Sequence, residues 1–222
     1  MKKHIFVFLV LALTLMLTLC SCDSTDGLAV IDDNIYEISS AAGMMAFAEM
    51  VNEKEETFRG KTIYLSTDID MSGIEWIPVG LYGSSAFCGT FDGKNHTISN
   101  LSVELGDGFY AAGLFGFVRG TVQNLTISHA TVHIHAHGHN HELIPGSFGT
   151  ISTSSGALAG FAMNGSVIQN VYIHGCDIVS GTYAGGVVGT VEGQLVDCEA
   201  EDVTLTAEET GTLYVNHEGH DH

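Results

Sequence analysis

One motif recurs along the chain and limits what it can fold into. Gly113-Leu-Phe-Gly116, Ala157-Leu-Ala-Gly160 and Gly186-Val-Val-Gly189 are copies of it, followed by Gly120, Gly165 and Gly193 respectively. Each copy runs into a second stretch: Val122-Gln-Asn-Leu125, Ile168-Gln-Asn-Val171 and Leu195-Val-Asp-Cys198. Ile98-Ser-Asn-Leu101 reads as an earlier copy of that stretch. Asn100, Asn124, Asn170 and Asp197 are then spaced by 24, 46 and 27 residues. Removing an insertion of roughly 20 residues from the middle interval leaves a period in the mid-twenties, the mark of a solenoid. Coils this short, rich in Val, Ile, Thr and Gly and without helical periodicity, predict an all-β parallel β-helix. The aligned asparagines are expected to form a ladder, each amide donating to one neighbour and accepting from the other. Asp197, which accepts but cannot donate, suits its last rung.

Upstream, Ser39 or Ser40 offers an N-cap oxygen. Met44, Phe47, Ala48 and Val51 follow at i, i+3, i+4 and i+7, one face of a helix of about four turns. A helix at the start of stacked strands can cover an open edge. Gly60 to Met71 alternates like a half-buried strand. Asp68 and Asp70 share its parity, but no third group accompanies them as a catalytic set.

The run Gly89-Thr-Phe-Asp-Gly-Lys-Asn-His-Thr-Ile-Ser-Asn-Leu101, followed by Ala112-Gly-Leu-Phe-Gly-Phe-Val118, resembles the GLUG-motif proteins. The resemblance extends over about Ile35 to Leu205, with Ala157 replacing a motif glycine in the second repeat. It implies a right-handed parallel β-helix with an N-terminal capping helix, on a bacterial surface, serving adhesion or ligand presentation. It brings no catalytic residues.

The N-terminus reads as an export signal. Lys2 and Lys3 precede the apolar Ile5 to Leu19, a segment of signal-peptide length. Leu19-Cys20-Ser21-Cys22 resembles a lipobox, with residues 1–21 removed and Cys22 lipidated. Residues 22–34 read as an acidic tether, residues 35–206 as the β-helix and residues 207–222 as an acidic, histidine-rich tail. Cys88, Cys176 and Cys198 are odd in number and irregularly spaced, which predicts small buried hydrophobes and no disulfide framework.

Seven Lys and Arg against 26 Asp and Glu give a formal charge of −19. A nucleic-acid backbone would be repelled, and cations attracted. The long repeat carries the insertion, about residues 129–150, which holds His133, His135, His137, His139 and His141. On a strand the first three share a face, about 6.6 Å apart in steps of two residues. Gly138 permits a turn that brings the others back. Imidazoles in such number suit zinc or another divalent transition metal. The tail adds His217, His220 and His222.

The expected function is a non-enzymatic, lipid-anchored, extracytoplasmic β-helix that binds a surface glycan or protein ligand, with a zinc-binding histidine loop. A metal-capture lipoprotein is the first alternative. A carbohydrate-active β-helix enzyme is the second, resting on fold analogy alone.

Overall fold

The computed structural model describes residues 27–106, 108–134 and 152–207. The lipidation site Cys22, the loop histidines His135, His137, His139 and His141, and the tail histidines His217, His220 and His222 lie outside these ranges.

The chain forms a parallel β-helix with a helix at its N-terminal end. Strand β1 (Leu28–Asp32) pairs antiparallel with β2 (Ile35–Ile38), and helix α1 (Ala41–Asn52) follows. Part of the expected tether is therefore a strand. Alternation buries Leu28, and the Asp32 side chain accepts from Asn34 N at 2.8 Å to close the turn. Ser40 caps α1 by accepting from Gly43 N at 3.1 Å. Met44, Phe47, Ala48 and Val51 are buried, as the periodicity predicts, and Gly43 is buried beside them.

An irregular opening coil contains β3 (Thr62–Leu65) and β4 (Ile69–Asp70). Three regular coils follow. The first is β5 (Thr90–Ser99), β6 (Ser102–Leu105), β7 (Ala111–Ala112) and β8 (Phe115–Val118). The second is β9 (Thr121–Ser128), β10 (Thr131–Ile134), β11 (Ser154–Gly156) and β12 (Ala159–Ala162). The third is β13 (Val167–His174), β14 (Asp177–Ser180), β15 (Tyr183–Gly185) and β16 (Val188–Val191). A partial fourth has β17 (Gln194–Glu201) and β18 (Thr204–Ala207). Matching strands stack in parallel into four sheets.

Inward residues form continuous columns. Phe91, Val122, Ile168 and Leu195 are one; Val103, Val132, Ile178 and Leu205 are another. The core is aromatic at the N-terminal end and aliphatic further along. Phe47 of α1 sits within 5.2–6.4 Å, centroid to centroid, of Phe58, Phe87, Phe91 and Phe115, plugging the first coil. Burying each such side chain contributes about 1.5–3 kcal/mol. The buried Trp76 Nε1 donates to Leu114 O at 3.0 Å, so the one polar atom of that ring is satisfied.

The repeat glycines are set by the approach of one coil to the next. A Cβ on Gly116 would lie 2.5 Å from Gly80 O, and one on Gly160 would lie 2.6 Å from Ala111 Cα. Gly116, Gly160 and Gly189 fall in one register, as the motif alignment predicts.

The early asparagine is out of register. Ser99 pairs with Ser128, so Asn100 stands at a corner above His129, followed by Gly175 and Asp202. All four have positive φ, between 52 and 64°. Asn124, Asn170 and Asp197 form a different column, the left-handed break in the middle of the long strands, with φ of 54, 51 and 50°. The first coil makes that break with Lys94 and Asn95, in an irregularity between Asp92 and His96. The extra residues there displaced the sequence alignment.

Candidate functional site

The outward faces of the coils carry charged and amide side chains. Several of them bond across to the neighbouring coil. Gln169 Nε2 donates to Gln123 Oε1 at 2.8 Å, and Gln123 Nε2 to Asp92 Oδ2 at 3.0 Å. In parallel, Asn170 Nδ2 donates to Asn124 Oδ1 at 2.8 Å, and Asn124 Nδ2 to Asp92 Oδ1 at 3.0 Å. Two amide ladders therefore end on the two oxygens of one carboxylate. The acceptor-only residue is Asp92 at the start of the stack, whereas the sequence points to Asp197 at its end. Asp92 is 6% exposed and also accepts from Lys94 N at 2.9 Å. Burial pushes its carboxyl up, but the bonds from Asn124, Lys94 N, Gln123 and the Lys94 ammonium together hold it below the usual carboxylate range.

Asp68 and Asp70 are engaged in the same manner. Asp68 Oδ1 accepts from Thr97 N at 2.9 Å and lies 3.0 Å from His96 Nδ1. Asp70 Oδ1 accepts from Asn100 Nδ2 and Ser72 N, each at 2.9 Å. Both carboxyls are held down, Asp68 chiefly by the Thr97 amide and Asp70 chiefly by Asn100. Carboxyls held ionised in this way suit structural acceptors, not a general acid near neutral pH.

His133 stands on β10, between buried Val132 and Ile134. The strand alternation expected at the start of the histidine run is therefore present, and β10 belongs to the coil: the inserted residues begin at 135. In register His133 pairs with Glu104 on β6 and Val179 on β14. Its Nδ1 is 3.6 Å from Glu104 Oε2, and its Nε2 is 3.7 Å from Asp177 Oδ2. The imidazole is thus flanked by a carboxylate from the coil on each side. Among the described residues no three His, Cys, Asp or Glu side chains converge in a way that could hold a metal ion. The other histidines read from the sequence as metal ligands lie outside the described residues.

A second group, not recognised from the sequence, lies at the next corner. The rings of His129 and His174 meet edge to face at 6.1 Å, and Tyr172 stacks on His174 at 6.3 Å. His174 Nδ1 is 3.8 Å from Asp202 Oδ2. The Tyr172 hydroxyl donates to Glu201, which pushes the phenol up to about 12. Aligning Ile127-Ser-His-Ala with Ile173-His-Gly-Cys would have revealed this corner. Cys88, Cys176 and Cys198 are free thiols, and burial pushes the Cys176 thiol up.

No protein-family model matches the chain. Over 171 residues, 72% of its length, it is 32% identical to halomucin of Haloquadratum walsbyi (strain DSM 16790 / HBSQ001). It spans 2% of halomucin's length. Among solved structures it is similar to a proposed immunoglobulin A1 protease from Bacteroides ovatus, at 19% identity and a TM-score of 0.49. That likeness covers 80% of this chain and 63% of the other.

Proposed function

We propose that the chain is a β-helical lipoprotein of the GLUG-motif kind, anchored through Cys22, that acts outside the membrane by binding a surface glycan or protein ligand and not by catalysis. The observation that carries this reading is the use made of the outward polar groups. Asp92, Gln123, Asn124, Gln169 and Asn170 bond to one another along the stack, and Asp68 and Asp70 bond to the adjacent coil. Such groups stiffen the solenoid and leave it as a rigid scaffold for presentation. The similarity to halomucin, by its name a mucin-type protein, supports a place outside the cell. The leader, residues 1–21, followed by Cys22 supports the anchor, because acylation of the cysteine adds roughly 0.8 kcal/mol of membrane affinity per buried methylene. Replacing Cys22 with Ala should move the protein from the membrane to the soluble fraction; retention in the membrane would overturn the anchor. Turnover of any polysaccharide by the purified protein would overturn the non-enzymatic reading.

His133 favours a second reading, capture of zinc or another divalent transition metal by the inserted loop. Its flanking carboxylates, Glu104 and Asp177, favour positive charge at the root of that loop. His135, His137, His139 and His141 would supply further nitrogens, and His217, His220 and His222 an accessory set. Zinc titration by calorimetry should give heat at about pH 7.5 and much less at about pH 5.5, because protonated imidazole cannot ligate. His133→Ala should weaken that binding. No heat at the higher pH would sink the metal reading.

A further inference from the structure

The two ends of the solenoid differ. At the N-terminal end α1 covers the first coil. At the other end, among the described residues, β17 and β18 are the last strands of their sheets. Residues that continue the buried columns come to the surface there. Leu195 is 43% exposed and Leu205 49%, whereas Ile168 and Ile178, one coil back, are 0%. Open strand edges with inward apolar residues are templates for a further strand.

Charge indicates what that strand is. Asp197, Glu199, Glu201 and Asp202 are exposed along this edge. The sequence has no Lys or Arg after Arg119. A second copy stacked end to end would set these carboxylates against their own kind. The tail, residues 208–222, would bring Glu208, Glu209, Glu218 and Asp221, again without Lys or Arg. It also places Asn216 where a further coil in the 27-residue register needs the glycine of the Gly160 and Gly189 column.

We propose that this edge takes an extended segment of another polypeptide as the next rung. The segment has apolar residues facing Leu195, Cys198 and Ala200, and Lys or Arg facing Glu199 and Glu201. It has Asn or Gly beside Asp197, where the long strands turn through left-handed φ. Backbone pairing supplies affinity, and the cations supply specificity and salt dependence. This names a partner class for the binding role proposed above. Its failure would leave the Cys22 anchor and the histidine loop unaffected, since each has its own readout.

The test uses the full mature protein and a fluorescent, end-blocked peptide, Lys-Val-Lys-Asn-Val-Lys-Val-Lys, matched to the eight residues of β17. Anisotropy should show saturable binding that weakens with added salt. Glu199→Lys with Glu201→Lys should weaken it by about tenfold or more. The same peptide with Glu in place of Lys should not bind. Equal binding of both peptides, or none of either, overturns the proposal. So does binding that appears only after residues 208–222 are deleted, which would make the tail the occupant. A stable dimer in sedimentation that Leu195→Lys dissociates would do the same, in favour of a second copy. Val30→Lys, on the exposed β1 at the other end, should leave peptide binding unchanged and reports that the surface charge of the variants acts locally.

Discussion

Asp92 remains ionised in a nearly buried position because four donors reach it: Lys94 N, Lys94 Nζ, Gln123 Nε2 and Asn124 Nδ2. Asp92→Asn offers one acceptor oxygen to two ladders and points an amide at the donors of the other. It should lower the unfolding free energy by about 1–3 kcal/mol in denaturant titration. The sign with pH follows from the direction of the shift. The folded carboxyl titrates below the unfolded one, near 3.9, so its contribution is present above about pH 3.9 and is lost as pH falls through the folded value. Melting curves of Asp92→Asn should accordingly show a shallower decline than wild type between about pH 5 and about pH 2. Asn124 separates backbone from side chain. Asn124→Gly loses the ladder bond but keeps the left-handed turn, whereas Asn124→Ala loses both and should be less stable by a further 1 kcal/mol or about that. Equal midpoints for the two variants would show that the φ of 54° carries no cost there.

The motif glycines and the helix govern the elements. Gly160→Ala places a methyl 2.6 Å from Ala111 Cα, and backbone can give way only by opening the coil. Destabilisation of about 1–3 kcal/mol or more is expected, measured as a shift of the denaturation midpoint. Phe47→Ala should cost about 3–5 kcal/mol, because the ring contacts aromatic side chains from both the opening coil and the first regular one. If α1 were a mere appendage, that substitution would leave the melting temperature in place. The helix face and its cap were legible in the sequence because both depend on spacing within one short segment. The Gly160 register was legible because it repeats. The place of Asn100 was not: the irregularity after Asp92 inserts residues within a strand, and a period counted along the chain cannot distinguish that from a corner.

At the scale of the molecule, the solenoid should tolerate change where the loop leaves it. The same corner is crossed by Gly181 and Thr182 alone in the next coil, between β14 and β15. Replacing the residues between Ile134 and Ser154 with Gly-Thr should therefore preserve the β-rich circular dichroism spectrum and shift stability by no more than about 1 kcal/mol. It should also abolish zinc heat if the loop is the metal site. Unfolding of that variant would show that the loop also serves the core.

The sequence by itself determined the coil, its approximate period, the inward columns of the later coils and the capping helix, because each follows from local spacing along the chain. It also concentrated every Lys and Arg before residue 120, and histidine in the departure from the repeat. Only the tertiary structure decided that the amide ladders end on Asp92, that His133 lies between Glu104 and Asp177, and that the acidic strand β17 is the last of its sheet among the described residues. Those outcomes depend on which residues of different coils fall into register, and a single bulge changes register for everything stacked upon it.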